Sequence, residues 1–536
     1  MSGPLADVRG SLPLERVRDT SRRFLRLQSS VRLYRSGPVS WVDCVPVGTA
    51  LREASVRIRQ RYEVGRFAPR VSGNSPRVLV IGLDSVPPSL LFDRFLPRMP
   101  RFRKYLEGST FGTLLSTDPP ITVPAWAVMF SGMDPGSLGI YGFRHRKPGT
   151  YWDNYVPTSK TLLQPLVWDQ LSRAGKRVCV IGMPPGYPPP RVNGVYISDF
   201  LTPDSATDFV SPPSLRDEVN RVSGGYKFDV TFRADDRERI GEELIRLTQK
   251  HFAVARHLWA KERWDFFALH EIGPDRIHHT FWKYFDKAHP RYEENSRYVA
   301  LVERYYSMLD EEIGKLLDSV PSDVRVMVLS DHGSQAMAGC FCINEWLIQR
   351  GYLVLKGARP APGTPLEKAT IDWPKTRVWG AGGYYARLFY NIKGREPEGS
   401  LDPREVPAFE EQLRQELTEV RRPDGQLLGS DVRSPHRVYK EVRGDAPDLM
   451  VYFGKVDWRS AGTIGYSSLF LEENDTGPDD SVHSFEGIYA VQGAGLEAKG
   501  PGPTERLIDI GPTVLAFMGQ DIPKSVQGKP IGRLVR

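Results

Sequence analysis

The chain has 536 residues, of which 40% are hydrophobic and 26% charged, the balance of a soluble globular protein. No stretch reaches the roughly 18–20 apolar residues that span a bilayer, no apolar run of signal-peptide type opens the chain, and Cys44, Cys179, Cys340 and Cys342 have neither disulfide-framework nor zinc-knuckle spacing, so a cytoplasmic protein is the expectation. The net charge of +7 suits an anionic partner such as a nucleotide, nucleic acid or acidic lipid, and equally suits a surface that is merely soluble.

Residues 1–75 are Arg-rich and carry weak helical periodicity over Val17–Leu27 and Ala50–Tyr62. They read as a basic N-terminal extension, an arm for an anionic partner or another subunit. The core is expected to begin after Ser75-Pro76. Val78 to Leu83 is a continuous apolar run, as in a strand buried on both faces, and it ends in Asp84. Val178–Gly182, Phe266–Leu269 and Val326–Leu329 repeat that pattern, and amphipathic stretches such as Glu238–Trp259 and Tyr298–Leu317 alternate with them. The alternation predicts an α/β fold, a mostly parallel central sheet with helices on both faces. Between 346 and 470 Pro and Gly become frequent, which predicts an inserted α+β cap subdomain for substrate specificity. The core is thus expected over 76–345 and 471–536, with a late strand at Gly487–Val491 and a helix at Asp509–Met518.

Ligands of such sheets bind beyond the carboxyl ends of the strands, and Asp84 and Asp331 both fall there. Asp275 and His279 are four apart after Pro274, so they share one helix face. His332 and Gly333 follow Asp331, and His483 stands in a polar loop spanning Asp475–Gly487. Each feature alone has a plainer reading: a turn residue, a surface pair, a cap. Together they form a carboxylate and imidazole set suited to zinc or manganese. Two ions about 3.5–4 Å apart would clamp an in-line displacement at phosphorus. Pro119 to Trp126 reads as a rigid loop entering a helix of roughly two turns that ends near Gly132. This puts Thr122 at or beside a helix N-terminus, where an anion is favoured. Local sequence alone leaves Thr122 either a nucleophile or a plain helix cap.

In this order along the chain, these segments resemble the type I phosphodiesterase/nucleotide pyrophosphatase family of the alkaline phosphatase superfamily, over about residues 76–536. Asp84, Pro119–Pro124 with Ser131–Pro135, Asp275–Trp282, Asp331-His332-Gly333 and His483 carry the resemblance, with Asn344–Leu347, Gly394–Gly399, Ala446–Leu449 and Ile508–Thr513 beside them. It implies an alkaline-phosphatase-like fold and two divalent ions, zinc first and manganese second. One ion would take Asp275, His279 and His483. The other would take Asp84, Asp331, His332 and the Thr122 oxygen. Thr122 would attack the phosphorus of a small nucleotide-like diester or pyrophosphate, and water would free the phosphothreonine. Two departures stand out. Leu138 replaces the usual His before Gly139, which affects packing. The Asn that helps bind phosphate oxygen in several members is missing near Phe143–Arg146, where Arg144 or Arg146 is a candidate substitute. His278 is either a second partner behind the ligands or a satisfied surface histidine.

Other readings stay open at this point. Monoester or phosphonate-ester hydrolysis and phosphoryl transfer would use the same threonine. A sulfatase signature is absent near Thr122, and the intact ligand set argues against a scaffold protein with a relic site.

Overall fold

The computed structural model describes residues 76–497 and 499–535. The basic N-terminal extension, with its expected anionic or subunit partner, lies outside the described residues.

The main sheet contains β1 (Arg77–Leu83), β2 (Thr110–Leu115), β3 (Val178–Ile181), β4 (Gly194–Ile197), β5 (Val210–Ser211), β6 (Phe266–Glu271), β7 (Val324–Leu329) and β8 (Glu486–Gln492). Their order is β2-β8-β7-β1-β6-β3-β4-β5, with Gly500–Pro501 and Glu505–Arg506 pairing onto β2. From β7 through β1, β6 and β3 to β4 every neighbour is parallel. β8 runs antiparallel to both β2 and β7, and β5 antiparallel to β4. The protein is therefore α/β, with a mostly parallel central sheet.

β1 shows why the sheet is covered on both faces. All seven of its residues are buried. Leu79, Ile81 and Leu83 join one core cluster, and Val78 and Val80 join the other, as a two-residue side-chain period requires. Helices α1 (Thr122–Ser131), α2 (Arg237–Lys261), α3 (Gly273–Phe285), α4 (Tyr298–Leu317) and α5 (Ile510–Phe517) supply the two covers. Leu244 of α2, Ile277 of α3 and Tyr306 of α4 lie in the first cluster, and Trp126 of α1 and Val514 of α5 in the second. Leu138 is fully buried in that second cluster, the packing role expected of it.

Within 346–470 the chain builds a separate antiparallel sheet from Val378–Ala381, Ala386–Tyr390, Asp431–Arg433 and Leu449–Tyr452. Helix Val406–Thr418 sends Phe409, Leu413 and Leu417 into the same hydrophobic cluster as Leu388 and Val451 of this sheet. A smaller sheet pairs Gly339–Cys342 with Trp458–Ala461 and Phe470–Leu471. Cys179, Cys340 and Cys342 are free and buried. No described helix is long and apolar enough to cross a membrane.

One local expectation changes. The polar loop over 475–487 contains a strand, Ser481–Ser484, paired antiparallel with Gly333–Ala336. Its side chains alternate Ser, Val, His, Ser, too short and too polar a run for hydrophobic periodicity to mark it.

α1 lies close against β1, and Gly82 is the point of contact. A Cβ there would stand 2.5 Å from Trp126 Cη2 and 3.2 Å from the Leu269 carbonyl oxygen. Trp126 is fully buried and has no room to yield. Gly82→Ala is expected to destabilise the fold by about 1–3 kcal/mol, the usual cost of overpacking. Urea unfolding measures it, and an unchanged midpoint would mean that α1 shifts freely.

Candidate metal centre

Three adjacent parallel strands set the site. Gly82 of β1 pairs with Leu329 of β7 on one side and with His270 of β6 on the other. The chain therefore leaves these strands side by side: Asp84 after β1, Asp331 and His332 after β7, and α3 after β6. Asp275 and His279 sit on the first turns of α3, with Pro274 at its start. Ser334 pairs with His483 across the short antiparallel ribbon, which carries His483 in from the far end of the sequence. Thr122 is the first residue of α1, after an extended Ile121, and it is almost fully buried.

Each carboxylate is tied by one oxygen and free at the other. Asp84 Oδ2 accepts from Trp126 Nε1 at 2.9 Å and pairs with His270 Nε2 at 2.7 Å. Asp275 Oδ2 accepts from Arg276 Nη1 at 2.6 Å. Asp331 Oδ1 accepts from the Ser85 amide at 3.1 Å. Asp84 Oδ1, Asp275 Oδ1 and Asp331 Oδ2 have no hydrogen-bond partner although all three are buried. Such orphaned acceptors are costly and rare, unless a cation is meant to meet them.

The imidazoles follow the same rule. His332 Nδ1 lies 3.0 Å from the Gly333 carbonyl oxygen and His483 Nδ1 lies 2.9 Å from that of Pro120. His279 Nδ1 lies 2.7 Å from Asp479 Oδ1. All three oxygens are acceptors, so each Nδ1 carries a hydrogen and each Nε2 is turned inward. Those nitrogens converge on the free carboxylate oxygens. His279 Nε2 and His483 Nε2 are 3.3 and 3.5 Å from Asp275 Oδ1, and 3.3 Å from each other. His332 Nε2 is 3.2 Å from Asp331 Oδ2, 3.8 Å from Asp84 Oδ1 and 3.2 Å from Thr122 Oγ1.

Two overlapping groups emerge: Asp275, His279 and His483, and Asp84, Asp275 and His332, each with ligand atoms within 4.8 Å of one another. Asp331 adjoins the second through His332. The donor set of buried carboxylate oxygens and oriented imidazole nitrogens fits a zinc-class divalent ion, with oxygens hard enough for manganese.

The electrostatics of the group follow from burial and from its own charges. Burial, and then repulsion from Asp84, push the Asp331 carboxyl well above its ordinary value. Burial and the neighbouring His483 push the His332 imidazole down to about 3, and burial lowers His483 as well. Burial works against a charged His279, yet Asp479, Tyr384 and Asp275 outweigh it and hold the ring well above the usual imidazole value. A proton there stands where a cation would bind, and the two compete.

Thr122, Asp84, Asp275, His279, Asp331, His332 and His483 are thus brought together. Arg144 and Arg146 do not join them. Arg144 is exposed, and its carbonyl accepts from Arg387. Arg146 donates to the Thr150 carbonyl at 2.7 Å and to Glu396 at 3.0 Å, with its guanidinium against Trp379 and Phe389. Its charge is spent on Glu396 of the 346–470 region, so nearness to α1 in sequence does not aim it at the ligand group. His278 is a satisfied histidine, as one reading held, but a core one. It meets the Ser85 carbonyl at 3.0 Å and the Tyr306 hydroxyl at 2.5 Å. The supporting residues Asp479, His270 and Trp126 escaped sequence reasoning. Asp479 had a signal, an Asp pair four residues before His483, whereas His270 and Trp126 look like ordinary core residues.

Comparison with known proteins agrees with this geometry. A family model described as type I phosphodiesterase / nucleotide pyrophosphatase matches residues 78–481. A search of curated proteins finds no match.

Asp479 orients His279 and is itself held by Arg459 Nη1 at 2.9 Å. Asp479→Asn is expected to weaken zinc binding by about 10–100-fold, as loss of a ligand's supporting carboxylate does, with the fold intact by circular dichroism. Competition with a chelating dye measures it, and wild-type affinity would show that His279 needs no such support.

Proposed function

The chain belongs to the type I phosphodiesterase/nucleotide pyrophosphatase family of phosphoric ester hydrolases, and on that premise we propose that it cleaves nucleotide-like phosphodiesters or pyrophosphates through a phosphothreonine at Thr122. Two divalent ions, zinc first and manganese second, would be held by Asp275, His279 and His483, and by Asp84, Asp331 and His332 with the threonine oxygen. The observation that supports this reading is the gathering of three unpartnered carboxylate oxygens and three inward imidazole nitrogens, with the Thr122 hydroxyl 3.2 Å from His332 Nε2.

When bound, the ions would supply Lewis-acid charge, lowering the pKa of a hydroxyl and offsetting the charge building on phosphorus. The chain's own residues do the rest. Thr122 starts α1, where the first amide N–H groups lack intrahelical acceptors and the dipole favours an anion. Its Oγ1 forms a bond to phosphorus as the ester oxygen leaves and takes up a proton. Water then breaks the phosphorus–Oγ1 bond and restores the hydroxyl. Burial of Thr122 and of every ligand candidate keeps bulk water off the nucleophile and strengthens charge interactions within the site.

Thr122→Ala is expected to lower kcat on a nitrophenyl diester by about 10^3-fold or more with the fold intact by circular dichroism. Acid-quenched wild-type enzyme should retain substrate phosphorus on Thr122. Wild-type turnover in the alanine variant would remove Thr122 from its role. Faster turnover of nitrophenyl monoesters than of diesters would move the substrate class. Chelation is expected to abolish activity and zinc or manganese to restore it; indifference to a chelator would contradict the metal assignment.

A further inference from the structure

The group Asp275, His279 and His483 offers three protein ligands, the number that leaves a zinc site one open position. Something from the 346–470 region already stands near it. Between strands Val378–Ala381 and Ala386–Tyr390 the chain turns through Gly382, Gly383 and Tyr384. Gly383 adopts φ +142°, which favours glycine. Its amide and carbonyl both bond Ser460, at 2.8 and 2.9 Å, so the hairpin is pinned to the strand Trp458–Ala461. This anchoring delivers the half-buried Tyr384 to the ligand group.

Tyr384 Oη lies 3.1 Å from His279 Nε2, the nitrogen that faces Asp275. Its ring stacks on the His483 imidazole with centroids 3.8 Å apart and planes 25° apart. The three ligand atoms are themselves separated by 3.3, 3.3 and 3.5 Å. Ligand bonds of about 2.0–2.1 Å set tetrahedrally around zinc give ligand–ligand edges of about 3.3 Å. The phenol oxygen is thus spaced from His279 as a further ligand would be.

The hydrogen-bond inventory points the same way. The 3.1 Å contact places a hydrogen bond between Oη and His279 Nε2, on the side of the ring that faces Asp275. An ion at Nε2 takes the place of that hydrogen bond and leaves the Oη lone pairs facing the cation. Arg233 Nη2, a donor only, lies 3.4 Å from Oη. The Arg459 guanidinium lies over the Tyr384 ring, 4.4 Å from its centroid. Both guanidiniums are donors only, so they call on Oη as an electron-pair donor, the role a metal ligand plays.

We propose that Tyr384 Oη is the fourth protein ligand of the ion held by Asp275, His279 and His483 in the resting protein. The oxygen–metal bond forms, the oxygen–hydrogen bond breaks, and the proton leaves to solvent. Substrate or water then gains that position only by displacing a side chain of the hairpin. The inference rests on the reading of those three residues as a metal site.

The test titrates metal-free, full-length protein with zinc and follows absorbance and affinity together. Wild-type protein is expected to develop the ultraviolet difference band of a metal-bound phenolate in step with zinc uptake. Tyr384→Phe is expected to lack the band and to bind that zinc about tenfold or more weakly. Zinc uptake by wild-type protein without the band overturns the Tyr384 assignment alone, and that arm needs no variant to fold. A band that persists in a folded Tyr384→Phe protein, or an unchanged affinity, also overturns it. A wild-type protein that takes up no zinc overturns the metal site as well, which separates the two failures.

Discussion

The site depends on a single constraint: every putting-together of charge at its centre is fixed from behind. Each carboxylate spends one oxygen on a rigid partner: Trp126 and His270 for Asp84, Arg276 for Asp275 and the Ser85 amide for Asp331. Each imidazole spends Nδ1 on an oxygen that only accepts. The inward atoms are then determined, since nothing can rotate away. Two carboxylates about 4 Å apart repel by roughly 4 kcal/mol at an effective dielectric of 20, and each buried charge adds a desolvation cost of several kcal/mol. A fold whose whole net stability is of order 10 kcal/mol carries that arrangement easily only if a cation reverses its sign. The same balance raises Asp331, through burial and Asp84, and raises His279, through Asp479, Tyr384 and Asp275 against burial.

Strand order explains how residues from 84 to 483 meet. β7, β1 and β6 are parallel neighbours, so their carboxyl ends open on one edge, the usual ligand edge of a parallel sheet. α3 leaves that edge with Asp275 and His279 on one face. The ribbon between Gly333–Ala336 and Ser481–Ser484 supplies the last histidine without any long loop. α1 closes the group from the second core face, and Gly82 lets it approach. The 346–470 region enters through one hairpin and one strand. The strand carries Arg459, which holds Asp479, which orients His279; the hairpin carries Tyr384. The 346–470 region and the ligand group are thus mechanically joined at His279.

Much of this was legible in the amino-acid sequence, for physical reasons. Parallel strands buried on both faces read as unbroken apolar runs, so β1, β3, β6 and β7 stand out, and with them the sheet edge where Asp84 and Asp331 fall. Helical spacing paired Asp275 with His279. The ribbon around His483 was hidden, because four polar-rich residues carry no periodic signal. Arg144 and Arg146 misled because nearness in sequence says nothing about direction in space, and Arg146 turns to Glu396. His278 was taken as a possible surface group, but its place on α3 faces the core and the Tyr306 hydroxyl. Tyr384 was illegible: it lies 105 residues beyond His279 in a glycine turn, and only tertiary pairing through Ser460 delivers it.

The most direct test of two cations at one sheet edge is anomalous X-ray scattering at the zinc absorption edge from crystals of the zinc-loaded protein. Two peaks are predicted about 3.5–4 Å apart, one among Asp275, His279 and His483 and the other among Asp84, Asp331 and His332, both beside Thr122. No anomalous density among these side chains in a crystal that retains zinc elsewhere would contradict the account at its root.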